Sequence, residues 1–329
     1  MSGIDAALLK ALRVAPLYCA GGDLAAQLAV TLSAIESAIA ELRIAGFEIE
    51  ERPGLGYRYL AAPDRLIADD LWARLGPSTL IREILVFKET DSTNDVAAQL
   101  GRNGAAGGVA VFAERQNAGR GRFGRRWQSA ASLGLWQSLL LQPDLPPAKW
   151  PRLTTYVAVA IAEAIEKTLH LSEGRVRIKW PNDIQIDGKK VAGILIETGA
   201  DRSGRSFAVL GIGINVNHGA EDFPEELVQT ASSLKEMSGS RIDRAALAVA
   251  IFHELEAWLP KLETGFEQII RKATGRSSIL GGWIRLRAAD VIIEGLAESL
   301  DLEGQLLVRD TRGTLHVLGG GEVTTGGLT

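Results

Sequence analysis

A short segment, residues 114–127, concentrates positive charge and backbone freedom. It reads ERQNAGRGRFGRRW and holds five arginines and three glycines. Arginine carries a planar guanidinium that stays charged and binds carboxylates and phosphates through paired hydrogen bonds. Glycine lets the backbone approach a ligand closely. The segment is therefore predicted to be a loop that wraps around an anion.

The glycine spacing of this loop also satisfies a dinucleotide-binding fingerprint. Gly119, Gly121 and Gly124 match G-x-G-x-x-G. That fingerprint requires a helix after the glycines, because the helix N-terminus holds the pyrophosphate. Residues 125–143 instead alternate apolar positions with period two and predict a strand. A nicotinamide-dependent oxidoreductase is the weaker alternative, and a solvated basic loop gives no reason for glycine to alternate with arginine.

Composition limits the classes of protein that the chain can belong to. Its 329 residues are 46% hydrophobic, enough for two or three domains, and its net charge of -4 disfavours a general polyanion binder. The single cysteine, Cys19, excludes an internal disulfide framework and a cysteine-based zinc cluster. Because the first residues lack a signal-peptide pattern and the apolar runs are too short to span a membrane, we expect a cytoplasmic protein.

The predicted elements that must position the loop fall into three regions. Residues 1–62 read as helix, helix and hairpin, with Leu24, Leu28, Ile35, Ile39 and Leu42 at helical spacing, which is typical of a winged helix-turn-helix. Residues 63–274 alternate strands and helices. Residues 275–329 read as short strands broken by glycine, as in a small β-barrel. The predicted fold class is mixed α+β.

Local signals place several elements of the middle region. Residues 84–88 form a predicted strand, and Ser92 or Thr93 is placed to cap a helix that starts at Asn94. Residues 176–180 alternate as a strand that ends before a proline. The pair Asp187-Gly188 between apolar runs predicts a tight hairpin.

Five segments, in order, carry a resemblance to a known family. They are ETDSTNDVA (89–97), ERQNAGRGRFGRRW (114–127), KWPNDI (179–184), KVAGILIE (190–197) and GIGINVNHGAEDFPEELVQTASSL (211–234). Over nearly its whole length the chain resembles bacterial biotin protein ligases of the bifunctional type. The resemblance implies a winged helix-turn-helix, a central ligase domain similar to class II synthetases and a C-terminal SH3-like barrel.

The activity that this resemblance implies is a two-step ligation. The carboxylate of biotin attacks the α-phosphate of ATP, and the resulting biotinoyl-AMP acylates a lysine of a biotin carboxyl carrier protein. Biotin, ATP and Mg²⁺ are the implied ligands, and a homodimer and a DNA operator are further implied partners. Negative charge accumulates around phosphorus in the first step, so fixed cations and Mg²⁺ are expected to supply most of the catalysis.

The resemblance also assigns roles to residues that match the family pattern. The catalytic candidates are Lys179, Arg122 and Arg120. The biotin-binding candidates are Ser92, Thr93, Asn94, Gln116, Gly119, Arg120, Gly121, Arg122, Lys179 and Gly193. The nucleotide-binding candidates are Arg122, Arg125, Trp127, Lys179, Asn182 and Asn215, and Asp183 is the metal-binding candidate. Residues 218–224 are expected to form a lid.

Four of these assignments have structural alternatives. Ser92 could serve only as a helix cap, Trp127 could pack in a core instead of stacking on adenine, and Gly193 could mark a bulge. Arg125 could be merely solvated, as could Arg126. The residue pattern leaves these alternatives open.

The N-terminal region departs from the pattern of DNA-binding relatives. Its second predicted helix carries Glu36 and Glu41 against a single Arg43. Residues 1–62 contain five Lys and Arg and seven Asp and Glu, a net charge of 5 - 7 = -2. Since phosphate contacts dominate affinity for DNA, this region is a poor electrostatic match for DNA. Two hypotheses stand: a ligase whose winged helix is structural, and a ligase that also represses transcription.

Overall fold

The computed structural model describes residues 3–15, 17–288 and 291–325. The chain divides into two compact units. The first runs up to Pro77 and includes Asp243–Val249, and the second comprises Ser78–Ile242 and the residues from Ala250 onwards. Within the described residues no single helix is long and apolar enough to cross a membrane. The helices Gly21–Leu28 and Leu32–Ile44 reach the required length and apolar character only when they are taken together. Their axes are bent by 103° relative to each other.

The first unit consists of helices followed by a hairpin and one more helix. Its elements are α1 (Gly3–Val14), α2 (Gly21–Leu28), α3 (Leu32–Ile44), β1 (Glu48–Arg52), β2 (Gly56–Ala61) and α4 (Ala68–Leu75). The predicted apolar stripe forms the core, since Leu24, Ile35, Ile39 and Leu42 are at most 3% exposed. The Thr31 hydroxyl accepts a capping hydrogen bond from the Ala34 amide and so starts α3.

The second unit is built on a seven-stranded sheet. Its strands are β3 (Glu83–Thr90), β4 (Val109–Gln116), β5 (Gly134–Leu141), β6 (Val176–Lys179), β7 (Asp183–Ile186), β8 (Lys189–Ala200) and β9 (Ser206–Asn215). The order is β3-β4-β5-β9-β8-β7-β6, with a parallel β3–β4 pair and antiparallel pairs elsewhere. Because β5 is the regular element that follows the glycine-arginine loop, the helix that a dinucleotide fingerprint requires is absent there. The oxidoreductase alternative is wrong.

Helices cover both faces of this sheet. The helices of this unit are α5 (Thr93–Arg102), α6 (Arg152–Thr168), α7 (Leu234–Ser238), the part of α8 (Arg244–Glu263) from Ala250 onwards, and α9 (Phe266–Arg276). On β5, Ser138 bonds to α5, while its neighbour Gln137 pairs with Phe112, whose ring packs on Phe252 of α8. Successive strand residues point to opposite faces, so α5 and α8 lie on opposite sides of the sheet. This explains why every residue of β5 is buried.

The C-terminal part of the described chain forms a second, five-stranded antiparallel sheet. It consists of β10 (Trp283–Ala288), β11 (Val291–Leu300), β12 (Leu306–Asp310), β13 (Leu315–Leu318) and β14 (Glu322–Thr325), in the order β13-β12-β11-β10-β14. Its core includes Trp180, which directly follows β6. The Trp180 indole also donates to the Gly304 carbonyl at 3.0 Å. The end of β6 is thereby fixed against the C-terminal sheet.

Candidate functional site

Two cavities adjoin at the glycine-arginine loop. The smaller has a volume of about 60 Å³ and the larger about 1040 Å³. Residues that line both are Gln116, Gly121, Arg122, Trp127, Asn182 and Lys190. The geometry therefore suits two ligands that meet at the loop.

Paired glycines form the surface on which Trp127 lies. Gly193 of β8 is the register partner of Gly213 of β9, so the two sit side by side. A Cβ on Gly193 would lie 2.8 Å from the Trp127 ring, and one on Gly213 would lie 2.7 Å from it. Gly193 was predicted to allow close approach of a ligand, but the group that approaches it in the structure is the Trp127 indole.

A hydrogen-bond network holds the polar side of the smaller cavity. The amide and hydroxyl of Thr93 donate to Gln116 Oε1 at 2.9 and 3.1 Å, and Gln116 Nε2 donates to the Ser129 hydroxyl at 2.9 Å. Ser138 Oγ lies 2.7 Å from the Thr93 hydroxyl and 2.6 Å from Asn94 Oδ1. The predicted biotin-binding residues Thr93, Asn94 and Gln116 are thus brought together. Ser129 and Ser138 were missed, although a lone serine in an apolar strand was a signal for Ser138.

Ser92 precedes α5 as its N-cap residue, one position before the helix begins at Thr93. The predicted helix start at Asn94 is one residue late. The Ser92 side chain accepts no capping hydrogen bond, and the residue lines the smaller cavity. The Ser92 side chain therefore lines the cavity without capping the helix.

Arg120 is held by carboxylates. Its guanidinium donates to Asp95 at 2.6 and 2.7 Å and to Glu197 at 3.3 and 3.2 Å. The hydrogen bonds that Arg120 donates to Asp95, together with the charge of Glu197, raise the pKa of the Arg120 guanidinium. Glu197 also accepts from Asn94 Nδ2 at 2.6 Å. Arg120 therefore anchors the loop to α5 and β8, through two acidic residues that sequence analysis did not single out.

Arg122 lies where the two cavities meet. Its Nη1 donates to Asn182 Oδ1 at 3.0 Å and to the Gly321 carbonyl at 3.3 Å. Burial lowers the pKa of the Arg122 guanidinium, against the opposing charge of Asp183. Within the described part of the chain Arg122 has no ion-pair partner. A half-buried cation without a counter-ion is a favourable site for an anion.

The remaining glycines and Arg125 shape the loop. Gly119 is buried, and a Cβ there would lie 2.7 Å from the Trp127 carbonyl oxygen. Gly121 donates its amide to the Arg125 carbonyl at 2.7 Å. The Arg125 side chain forms an ion pair with Glu322 of β14 and lowers the pKa of that carboxyl. Arg125 is therefore paired with a carboxylate, although it lines the larger cavity.

Lys179 ends β6 and lines the larger cavity. Its ammonium makes no hydrogen bond or ion pair with the residues that the structure describes. Nearby, Asp183 pairs with Lys190 at 2.6 Å, and the Lys190 ammonium lies 5.0 Å from the centre of the Trp127 ring. The described residues contain no group of three or more His, Cys, Asp or Glu side chains that could hold a metal ion.

The predicted nucleotide-binding residues Asn182, Asn215 and Trp127 all line the larger cavity. Asn182 Nδ2 donates to the Ile194 carbonyl at 2.9 Å, and Asn215 Nδ2 donates to the Ser232 carbonyl at 3.1 Å. The Trp127 indole N–H is buried without a partner among the described residues. His218, which sequence analysis placed only in a lid segment, lines the same cavity and is 4% exposed.

Comparisons with known proteins agree with this geometry. The model of the Biotin/lipoate A/B protein ligase family matches residues 86–217. The bifunctional ligase/repressor BirA of Bacillus subtilis is 35% identical over 297 residues, covering 90% of each chain. The chain belongs to the biotin protein ligase family. The biotin--[acetyl-CoA-carboxylase] ligase of Mycobacterium tuberculosis is 31% identical over 265 residues, covering 79% of this chain and 94% of the relative.

Solved structures of this family share the fold. The biotin protein ligase from Aquifex aeolicus in complex with biotin and ATP superposes with a TM-score of 0.64 and 28% identity. The match covers 75% of this chain and 100% of the Aquifex chain. The mixed α+β fold with a central sheet is thus confirmed as that of a biotin protein ligase.

A methyl group on Gly213 is expected to displace Trp127. Overpacking typically costs about 1–3 kcal/mol, which Gly213→Ala can avoid by letting the indole leave the sheet. Acrylamide should then quench the fluorescence of Trp127 more strongly, with the contribution of Trp127 obtained by subtracting a matched Trp127→Phe protein. Gly275→Ala is the control, because a Cβ at Gly275 has no neighbour within 4 Å. Unchanged quenching of Trp127 in Gly213→Ala would contradict the proposed packing.

Proposed function

We propose that this chain is an ATP-dependent ligase that activates biotin as biotinoyl-5′-AMP and transfers biotin to a lysine of a biotin carboxyl carrier protein. The observation that carries the proposal is the position of Arg122, a cation without a carboxylate partner among the described residues, where a small and a large cavity meet. A carboxylate entering from the smaller cavity and a phosphate entering from the larger one would share that cation. Family membership and the Aquifex complex with biotin and ATP support the same assignment.

The polar lining of the smaller cavity matches the hydrogen-bonding groups of biotin. The ureido group has one acceptor oxygen and two N–H donors, and the cavity offers Ser92, Thr93, Asn94 and Gln116 as polar partners. Thr93, Asn94 and Gln116 belong to the hydrogen-bond network described above, which fixes their orientation before ligand arrives, so little conformational entropy is lost on binding. Arg120, tied to Asp95 and Glu197, holds the loop over this cavity.

The larger cavity suits the nucleotide. Arg122 and Lys179 provide positive charge for the α-phosphate, and Asn182 and Asn215 provide amide groups along the wall. The Trp127 ring, which lines this cavity, offers a flat surface to a heterocycle. Arg125 closes the loop against β14 rather than facing the phosphates directly.

The first step would form one bond and break one. A biotin carboxylate oxygen attacks the α-phosphorus, and the bridging oxygen leaves with pyrophosphate. Arg122 would orient the carboxylate, and Lys179 would stabilise the charge that develops on the phosphoryl oxygens. In the second step a carrier lysine amine attacks the acyl carbon, AMP leaves with its oxygen, and the amine loses a proton.

Mg²⁺ is proposed as the accompanying cation, with Asp183 as the residue that would hold it. Mg²⁺ keeps several waters and needs one or two carboxylates beside substrate phosphates, so a single Asp183 fits this mode of binding. When bound, the ion neutralises charge on the phosphates. Lys190, which pairs with Asp183, would then be displaced from that carboxylate or share it.

Three domains are proposed on the basis of the strand and helix order. Residues 1–62 would form a winged helix-turn-helix, with β1 and β2 as the wing. Residues 63–274 would form the ligase domain, similar to class II synthetases. Residues 275–329 would form an SH3-like barrel, supported by the five-stranded antiparallel sheet.

Repression of transcription is a second candidate function, carried by the helices that precede the hairpin and by the names of the BirA relatives. Operator binding and a homodimer would accompany it. The charges of α3 disfavour it, because Glu36 and Glu41 are exposed. Arg43 donates at 2.9 and 3.1 Å to the Ile49 carbonyl and pairs with Glu51, so it is not free for a phosphate.

Removing the Lys179 ammonium is expected to slow adenylation. Lys179→Ala should leave the affinity for biotin within tenfold and lower the single-turnover rate of adenylate formation by at least ~100-fold, as loss of one preorganised electrostatic contact does. Calorimetry with biotin alone and rapid-quench measurement separate the two effects. The control Lys149→Ala removes an exposed lysine and should behave as wild type. Adenylation at the wild-type rate in Lys179→Ala would remove Lys179 from the mechanism.

Removing the Arg122 guanidinium is expected to release the adenylate. Arg122→Gly loses a charge-assisted contact of ~1.5–3 kcal/mol, so biotinoyl-AMP should escape roughly 10- to 150-fold faster in stopped flow. Biotin should also appear on proteins that lack an acceptor domain. Arg312→Gly, at an exposed turn that lines neither cavity, is the control and should retain the adenylate. Equal escape from the two variants would show that Arg122 does not hold the intermediate.

Binding of the full-length chain to DNA is expected to be weak. Without free basic groups on α3, it should bind duplex DNA no better than a non-specific ~10⁻⁴ to 10⁻⁶ M at physiological salt. Fluorescence anisotropy with the DNA upstream of biotin-synthesis genes, with and without biotin and ATP, measures this. Sequence-specific binding at nanomolar concentration would support the repressor hypothesis instead.

A further inference from the structure

His218 is a buried histidine whose position is set by the backbone on both sides. It lies shortly after β9. The amide of the preceding residue, Asn217, donates to the Leu133 carbonyl at 2.7 Å, and the His218 carbonyl accepts from the Ser233 hydroxyl at 2.6 Å. Its ring stacks on Phe223, with centroids 5.2 Å apart and planes 29° apart. It also packs against Trp136 in a T-shaped arrangement, with ring centroids 5.9 Å apart. The imidazole is thus held in one place at the wall of the larger cavity.

The two ring nitrogens of His218 have different surroundings. Nδ1 is fully buried and has no hydrogen-bond partner among the described residues. A proton on Nδ1 would therefore be a buried donor without an acceptor, which is unfavourable. Nε2 is not among the buried, unpaired atoms. The favoured form is the neutral ring with its proton on Nε2, which makes that nitrogen a hydrogen-bond donor.

Burial of the ring supports a neutral donor, against the charges of the neighbouring carboxylates. Burial lowers the pKa of the His218 imidazole, while the carboxylates of Asp222 and Glu236 raise it. Protonation would also place the unpaired N–H on Nδ1. The imidazole is consequently neutral at pH 7, and its donor carries no formal charge that would favour a phosphate.

The larger cavity is lined by cationic side chains from some segments of the chain and by anionic side chains from another. Arg122 and Lys179 come from the glycine-arginine loop and the end of β6, whereas His218 is followed in the chain by Glu221 and Asp222, which line the same cavity. Carboxylates next to His218 repel a polyphosphate, and the adjacent aromatic rings favour a flat heterocycle. The surroundings of His218 therefore match the uncharged half of a nucleotide.

We propose that His218 is a nucleoside-binding residue, in which Nε2–H donates a hydrogen bond to an acceptor atom on the base or ribose of the bound ATP. This inference rests on the proposed ligase function and adds a residue to it. His218 makes no contact with the phosphates in this assignment. Its role is to select and orient the nucleoside, while Arg122 and Lys179 act on the reacting end.

Three substitutions distinguish the effect of the hydrogen-bond donor from that of the aromatic ring. His218→Phe keeps an aromatic ring for Phe223 to stack on and removes the donor. His218→Gln places an amide nitrogen near the position of Nε2, and His218→Asn places one near that of Nδ1. The KM for ATP in biotin-dependent pyrophosphate formation should rise about tenfold in the Phe and Asn variants, the effect of one hydrogen bond of about 1.4 kcal/mol. His218→Gln should stay within threefold of wild type, and the affinity for biotin should not change.

Inhibitors identify which half of the nucleotide is contacted. Adenosine should inhibit His218→Phe about tenfold more weakly than wild type, while inorganic triphosphate should inhibit both equally. An equal loss of triphosphate inhibition, an unchanged response to adenosine, or equal behaviour of the Gln and Asn variants would each overturn the proposal. If His218→Phe does not fold, the Gln and Asn pair still decides.

The outcome for His218 is separable from that for the ligase function. A wild-type chain that forms no biotin-dependent pyrophosphate would refute the ligase function by itself. Calorimetry of adenosine with wild type and with His218→Gln and His218→Asn would still test the nucleoside contact in that case. Equal adenosine affinity in all three proteins would refute the role of His218, whatever the activity.

Discussion

The packing of one indole against two glycines determines the layout of the site. Trp127 can lie on the central sheet only because Gly193 and Gly213 are register partners without side chains. That contact brings the end of the glycine-arginine loop down onto β8 and β9 and places Trp127 in the lining of both cavities. Any Cβ at either glycine would lift the loop. The arginines of the loop are therefore positioned by an apolar contact rather than by their own charges.

Once the loop is placed, the arginines divide into paired and unpaired cations. Arg120 and Arg125 are neutralised by carboxylates on α5, β8 and β14, so their charge is used to hold the loop. Arg122 has only neutral hydrogen-bond partners among the described residues, and its burial makes an anionic partner favourable. The same side-chain chemistry thus serves two purposes. The presence or absence of a carboxylate partner determines which arginine can bind a further anion.

Local sequence patterns predict several elements around the site, but not these pairings. The strand before α5, the strand after the loop and the hairpin at Asp187-Gly188 follow from local patterns, and the structure has all three. The partners of Arg120 lie 25 and 77 positions away along the chain. No periodicity reports such long-range contacts, because they depend on strand order. The unpartnered Nδ1 of His218 is invisible to sequence for the same reason.

The C-terminal sheet and its loops, which are far from the glycine-arginine loop in sequence, contact residues of the site. Arg122 donates to the Gly321 carbonyl, Arg125 pairs with Glu322, and Trp180 donates to Gly304. These contacts hold the loop and the residue next to Lys179 against the same sheet. Lys179 itself has no partner among the described residues, so its position depends on the anchoring of Trp180. A small sheet that contributes no proposed catalytic side chain thus holds the segments that carry Arg122 and Lys179, the two cations proposed to act on the phosphate.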